Sequence, residues 1–500
     1  MSINKRIGFS FTITFLLLFL GITITENCCG SANTISHVYL ENDTLVRSSV
    51  VILDKTADIK AQLCQNNTIY EISDVINLHG KEIVVPQGCS LHFMGGGFIN
   101  GVIKGNNTRI VAQFGKVFGS DLELKGVFLS DEIRVSWWAT LGAKDNTKEV
   151  QQALNSISAF INRCFIFDIP VRITEVSYAL KYFPGTVFSG VSNSHQNNCS
   201  ITVFGKKSRG IDISGTEILQ FSNMLIEGDS NNPPLSLIYA SRLEDNKQSD
   251  KHCFRNVSFR GEVTKAFVYN YGGEEWTLEN CEFNYTGQNK LIALFYATSI
   301  NKAGIESNFY KTETRITSVT YMTFNQCHFV NRSVAPSLYF ESATKKRNNI
   351  YTIASLFFNQ CYFNSSLGSS VRFKDVEGGI SFINNVDESG ATNTTERTAS
   401  FYEFEGDNFI DGLVFVNNTL YVKKNTPVVH AVPSVENYFA SSNKVLNNGA
   451  IWSFGDLKKG IHYGLSKNES FVITGTSKDV EIHNGEEDSS NIIIKRKNVK

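Results

Sequence analysis

Phe254-Arg-Asn256-Val257-Ser-Phe259, Leu278-Glu-Asn280-Cys281-Glu-Phe283, Phe324-Asn-Gln326-Cys327-His-Phe329 and Phe358-Asn-Gln360-Cys361-Tyr-Phe363 repeat one phrase: apolar, any, amide, apolar, any, apolar. An earlier copy stands at Phe221-Ser-Asn223-Met224-Leu-Ile226 and a weaker one at Ile410-Asp-Gly412-Leu413-Val-Phe415. Successive amide positions lie 33, 24, 46 and 34 residues apart. The spacing suits a coil with loops of variable length, and the 46-residue step reads as hiding one extra turn. A unit of this size cannot bury its apolar face alone, so neighbouring units must stack into a solenoid.

The phrase has a geometric meaning. Its first, fourth and sixth side chains can all point inward only if the backbone bends between the first and fourth. The amide marks that bend, because Asn tolerates the left-handed conformation of a corner and can bond its counterpart one rung away. Asn223, Asn256, Asn280, Gln326 and Gln360 are thus expected to form an internal amide ladder. Cys281, Cys327 and Cys361 share the fourth position and read as buried thiols on adjacent rungs, about 4.8 Å apart. One stretch is helical instead: Val150, Ala153, Leu154, Ile157, Phe160 and Ile161 recur at helical spacing, with N-cap oxygens from Asp145 to Thr147. This helix is expected to cover the open end of the stack, where unpaired strand groups would otherwise recruit another chain.

Composition supports an all-β reading. Phe (37), Gly (37) and Tyr (18) are plentiful while Pro (8) and Met (4) are few, which favours pleated strands and tight turns. With 47 basic against 48 acidic side chains, no basic field is available for nucleic acid or an anionic membrane. Lys5 and Arg6 precede an uncharged run built around Phe15-Leu-Leu-Leu-Phe-Leu20, and Gly30-Ser-Ala32 follows. This pattern predicts an export signal over 1–32, cleaved or kept as an anchor, and a secreted, periplasmic or cell-surface location in which the membrane is touched only through that segment. The remaining divisions are an N-terminal β-rich region over 33–135, a lead-in with its helix over 136–165, the coil over 166–465 and a polar tail over 466–500.

Residues 135–165 resemble the lead-in segment of the pectate-lyase-like (pectin lyase fold) superfamily. In that superfamily a Phe-Gly-Ala, acidic, Asp-Thr phrase introduces a capping helix, and it stands here as Leu141-Gly-Ala143, Asp145 and Thr147 with its Gly-Asp-Gly portion shortened. The Phe-x-Asn-Cys-x-Phe phrase is similar to the coil repeat of the same superfamily, so the likeness covers roughly 75–460. It implies a single-stranded right-handed parallel β-helix that acts on or binds polysaccharide. The chain lacks the Gly-His-Gly, Asn-Thr-Asp and Arg-Ile-Lys phrases of the polygalacturonase-like branch and the Arg-x-Pro-x-x-Arg of the pectate lyases, so no catalytic residue transfers from them.

Candidate site residues come instead from local chemistry. Tyr269-Asn-Tyr271-Gly-Gly-Glu274-Glu275-Trp276 places two carboxylates and three aromatic rings within eight residues. Tyr269, Tyr271 and Trp276 read as sugar platforms with Arg255 as a polar contact. A hydrolase needs paired carboxylates, so Glu274 or Glu275 is expected to pair with Glu279, Asp375 or Asp411 from a neighbouring rung. A lyase needs a base and a cation beside a uronate, for which Arg255, His328, Arg372 and Lys374 are candidates. The catalytic set is then Glu274, Glu275, His328 and Arg372. No metal site or cofactor is evident, and calcium is an option without a clustered acidic triplet behind it. Three readings stay open: a polysaccharide lyase or glycoside hydrolase, a non-catalytic glycan-binding adhesion protein, and an architectural envelope protein.

Overall fold

The computed structural model describes residues 34–484, with interruptions at 42–43, 114, 179–183, 192–199, 244–248, 288, 300–317, 343–352, 366, 390–398, 423–425, 447–448 and 466–468, and a last strand Ile492–Ile494. The expected export segment 1–32 lies outside the described residues. No helix among them is long and apolar enough to cross a membrane.

The chain winds as a right-handed parallel β-helix. Among the described residues each turn contributes an arm or two to a sheet of 21 strands and one strand to a sheet of 12, and nearly all neighbours pair in parallel. A sheet of 7 strands precedes them, opened by the antiparallel hairpin of Thr34–Glu41 and Thr44–Ile52.

The phrases are successive rungs. Phe221 pairs with Phe254, Phe254 with Leu278, Leu278 with Phe324 and Phe324 with Phe358. The rings stack: the centroids of Phe221 and Phe254 are 4.8 Å apart and those of Phe324 and Phe358 5.2 Å. A second pile runs through Phe259, Phe283, Phe329 and Phe363. Because Leu278 and Phe324 are direct neighbours, the 46-residue step holds no extra turn. Its surplus residues lie in the connection between Thr298 and Ser318, most of it outside the described residues.

The corner chemistry is as expected, but its side is not. Asn223, Asn256, Asn280, Gln326 and Gln360 all have φ between +51° and +54°. Asn256 Nδ2 donates to Asn223 Oδ1 at 3.1 Å, Asn280 Nδ2 to Asn256 Oδ1 at 2.6 Å and Gln326 Nε2 to Gln360 Oε1 at 3.0 Å. The left-handed backbone swings these side chains outward, so the ladder is half-exposed to exposed rather than internal. The internal ladder is the next residue. The Cys281, Cys327 and Cys361 thiols, all buried, donate to the carbonyls of Phe254, Leu278 and Phe324 at 3.3, 3.4 and 3.4 Å. Asn385, Asn418 and Asn443 continue the column, each giving its Nδ2 to a phenylalanine carbonyl one rung back.

This column corrects the weakest copy of the phrase. Phe382 and Phe415 pair with each other, so the true copies are Phe382-Ile-Asn384-Asn385 and Phe415-Val-Asn417-Asn418. Gly412, with φ +87°, sits at a different corner, in register with Asn437.

The helix Thr147–Ser156 with its 3-10 extension Ile157–Ala159 caps the first strand of the 12-strand sheet. It does not close a free end, because the strand Leu122–Phe128 of the first sheet lies on its other side. Two adjacent glutamines satisfy both edges: Gln151 exchanges hydrogen bonds with the backbone N–H and carbonyl of Ser177, and Gln152 Nε2 donates to the Leu122 carbonyl at 2.6 Å. At its start Asp145 Oδ1 accepts the Thr147 N–H at 2.8 Å, while the N-cap residue Asn146 bonds the Thr140 carbonyl and the Arg172 N–H.

The coil also outruns its expected end at 465. Glu469–Ile473 and Val480–Asn484 pair as further rungs, with Phe471 and Ile473 pointing into the core. Lys478, Asp479 and Glu481 are exposed and disguise the stretch as a polar tail, while Glu469 is buried and accepts Trp452 Nε1 at 3.2 Å.

Candidate functional site

The rung geometry separates the candidate residues from one another. Glu274 and Glu275 precede a bent arm of the long sheet, at a second corner where Ile218, Lys251, Glu275, Tyr321 and Ser355 fall in register with φ between +55° and +59°. The corner is held by backbone bonds from Ile218 to Asp250, from Lys251 to Glu274 and from Glu275 to Thr320, all 2.8–2.9 Å. Its left-handed φ aims Glu275 and Tyr321 away from the core, and both are exposed.

Glu274 has a carboxylate neighbour that the sequence does not reveal. Asp250 is 5 % exposed and its Oδ1 accepts the Glu274 N–H at 2.9 Å. Burial, reinforced by the negative charges of Glu274, Glu217 and Glu275, pushes the Asp250 carboxyl up to about 7, although the Glu274 N–H opposes the shift. Ser318 hydrogen-bonds the Glu274 carboxylate. None of the three expected partners takes this role. Glu279 binds Arg255 Nε at 2.7 Å, Asp375 is buried and accepts the Asp407 N–H at 2.8 Å, and Asp411 accepts Asn437 Nδ2 at 2.7 Å.

The expected sugar platforms are interior residues. Trp276 is fully buried beside His252 and Phe254, with Nε1 donating to the Ser249 carbonyl at 2.6 Å. Tyr269 and Tyr271 are 1 % and 0 % exposed, on the face of the 12-strand sheet opposite Val268. Tyr269 packs there between Tyr239 and Tyr296. No ring face of these three is open to a ligand.

The cations are committed too. Arg372 donates to both Glu405 oxygens at 2.8 Å and lies over the Tyr339 ring, Lys374 Nζ is 3.5 Å from Glu341, and Arg255 holds Glu279. His328 projects from the far arm of the long sheet, its ring 4.5 Å from that of Tyr362. Desolvation lowers its pKa against the pull of Glu282 and Glu388. Arg255 and Glu279 lie on the arm that leaves the Glu275 corner, whereas His328 and Arg372 lie on other faces, so the expected catalytic set does not converge.

What does converge is a groove along the corner. Next to Glu275, a hollow of about 410 Å³ is lined by Tyr321, Ser355, Gly378, Gly379 and Asp411. The two glycines keep its floor open, and a side chain added at Gly379 would meet nothing within 4 Å. Beyond the groove, the outer face of the long sheet carries Phe357, Phe439 and Tyr463, 42 %, 37 % and 42 % exposed. Phe357 and Phe439 occupy one outward column through Ser381 and Val414, three rungs or about 14 Å apart. The column was readable in principle, because it is the position just before each phrase, where Phe357 replaces Thr277 and Thr323. Asp250 left no such signal, since its perturbing neighbours come from other coils. Among the described residues no group of three or more His, Cys, Asp or Glu is placed to hold a metal ion.

No family model and no curated protein matches the chain. Solved structures do. The Streptococcus pneumoniae surface protein and adhesin PfbA is similar over 73 % of this chain and 100 % of that chain, at 11 % identity and a TM-score of 0.53. The A-module of the Azotobacter vinelandii mannuronan C-5 epimerase AlgE4 covers the same shares at 10 % identity and a TM-score of 0.40. The first of these likenesses shows the shared β-helix fold; neither identity extends to a site.

Proposed function

We propose that this protein is an exported β-helix that binds an extended, neutral polysaccharide along the corner groove and the ring column beside it. The apolar N-terminal run supports the location. The observation that carries the binding reading is the exposed set Tyr321, Phe357, Phe439 and Tyr463 on one side of the coil, next to a groove with Ser355 and Asp411 in its polar lining and Glu275 one rung away. Flat rings supply stacking faces for sugars, and carboxylates accept from their hydroxyls. Around the corner the carboxylates of Glu217, Glu274 and Glu275 act on Asp250 and Arg255 is held by Glu279, which leaves Lys251, exposed in register with Glu275, as the cation among the described corner residues. Carboxylates outnumber that cation, so the ledge disfavours a uronate polymer and favours a neutral one.

Electrophoresis of the purified protein through gels containing glucans, mannans, xylan or polygalacturonate tests this. Retardation by a neutral polymer, weakened in Tyr321→Ala and Phe439→Ala, supports the reading. Retardation by polygalacturonate alone, or none by any polymer, overturns it.

A second reading, hydrolysis of the bound chain, is favoured by one observation. Burial raises the Asp250 carboxyl to about 7 beside Glu274 and Glu275, the kind of carboxyl that can serve as the acid of glycoside hydrolysis. Release of reducing ends that is lost in Asp250→Asn and Glu274→Gln supports it. A polymer that is retained without cleavage leaves binding as the function.

A further inference from the structure

We propose a second carbohydrate site, remote from the corner groove, in the cleft between the first coils and the helix Thr147–Ser156. The cleft has a volume of about 480 Å³ and is lined by Asn100, Val102, Asp121, Glu123, Gln152 and Asn155, with Gly80 and Gly101 also on its wall. That volume falls within the range of roughly 300–1,000 Å³ typical of small-ligand pockets.

The lining is a fixed set of donors and acceptors. The helix enters it already anchored, since Gln152 Nε2 is held by the Leu122 carbonyl and Asn155 Oδ1 by Gln151 Nε2 at 3.1 Å. On the opposite wall Asp121 Oδ1 accepts the Asn100 N–H at 3.0 Å, and Asn100 Nδ2 donates to Asn77 Oδ1 at 3.2 Å. These bonds use one end of each group. Among the described residues, Gln152 Oε1, Asp121 Oδ2 and Asn155 Nδ2 have no partner, so two acceptors and a donor border the same hollow. Alternating acceptors and donors on rigid elements match the paired hydroxyls of a sugar ring, each of which both gives and takes a hydrogen bond. Val102 adds an apolar contact for a ring face. The carboxylate of Asp121 disfavours an acidic sugar, while that of Glu123 is paired with Lys125 Nζ at 3.2 Å. The ligand class is therefore a neutral mono- or short oligosaccharide.

The site is separate in mechanism from the corner groove. It contains no exposed aromatic ring, it is built by the first coils and the helix, and its failure leaves the groove untouched. Saturation-transfer NMR followed by titration calorimetry tests it, using mono- to tetrasaccharides of glucose, galactose, mannose and N-acetylglucosamine as probes, with tri-galacturonate and calcium chloride as controls. Asn155→Asp keeps the oxygen that Gln151 uses and removes the free donor. Gly80→Asn places a side chain where an added Cβ meets nothing within 4 Å, on a φ of +76° that Asn accepts.

The expected result is binding of a neutral probe that weakens about tenfold or more in both variants, the scale of one lost hydrogen bond, and is unchanged in Tyr321→Ala. Retained melting temperatures in the variants show that the loss is local. The proposal is overturned if no neutral probe binds, if only calcium or tri-galacturonate binds, or if Tyr321→Ala alone abolishes binding.

Discussion

Asn385 donates its side-chain N–H to the Phe358 carbonyl at 3.0 Å, the same station at which the Cys361 thiol serves Phe324 one rung earlier. A cysteine column therefore passes into an asparagine column without breaking register. Each residue satisfies a carbonyl at the bend that the sheet ladder cannot reach. The asparagines do more than the thiols, since Asn385 Oδ1 also accepts the Cys361 N–H at 2.8 Å, and Asn418 Oδ1 accepts both the N–H and the Nδ2 of Asn385.

Replacing Asn385 with leucine should be among the most damaging single changes in the coil. It leaves the Cys361 N–H and the Phe358 carbonyl without their side-chain partner in a buried place, at about 1–3 kcal/mol for each unsatisfied group, while Asn418 Oδ1 keeps the backbone N–H of residue 385. Asn385→Cys, which restores the donor to Phe358, should lose less. Denaturant midpoints of the two variants check the order, and equal losses would contradict the ladder.

Trp276→Ala should act on stability and not on glycan recognition. The indole is fully buried and bonded to Ser249, so its removal opens a cavity at a cost of about 3–5 kcal/mol. A stable Trp276→Ala protein with weakened polymer binding would restore the surface role that its neighbours in sequence suggest.

The difference between these two residues marks what the chain discloses on its face. Phe254, Phe324 and Phe358 are legible because an inward aromatic, a bend and a second inward aromatic recur in fixed order. Phe382-Ile-Asn384-Asn385 escapes the same reading because Asn385 puts a polar group where apolar ones are expected, and Gly412 misleads because two kinds of corner share one residue preference. Alternation along Val268–Tyr271 tells which side chains leave the core but not that the outer face is itself covered. That is why Tyr269 and Tyr271 read as platforms while Tyr321, alone between Thr320 and Met322, passes unnoticed. Charge clusters assembled across coils, as around Asp250, are invisible to any local pattern.

Asp250 also sets a pH dependence. Its folded-state pKa is raised from 3.8 to about 7, so the folded protein binds the proton more tightly than the unfolded chain. The associated stability is complete below about pH 4 and is lost as pH rises towards 7. The buried histidines His252 and His462, lowered to about 3 and about 4, work in the opposite sense, since their contribution is lost as pH falls. Comparing Asp250→Asn with the parent chain isolates the carboxyl: the variant should gain relative stability steadily from pH 4 to 7. A difference that does not change with pH would contradict the protonated carboxyl.

The claim that the ring-bearing side of the long sheet is the working surface is tested most directly by hydroxyl-radical footprinting of the protein, free and saturated with whichever neutral polymer retards it. The account predicts protection of Tyr321, Phe357, Phe439 and Tyr463 together, with His328 and Tyr362 on the far arm unchanged. Protection of the far arm, or of none of the four rings, would contradict it.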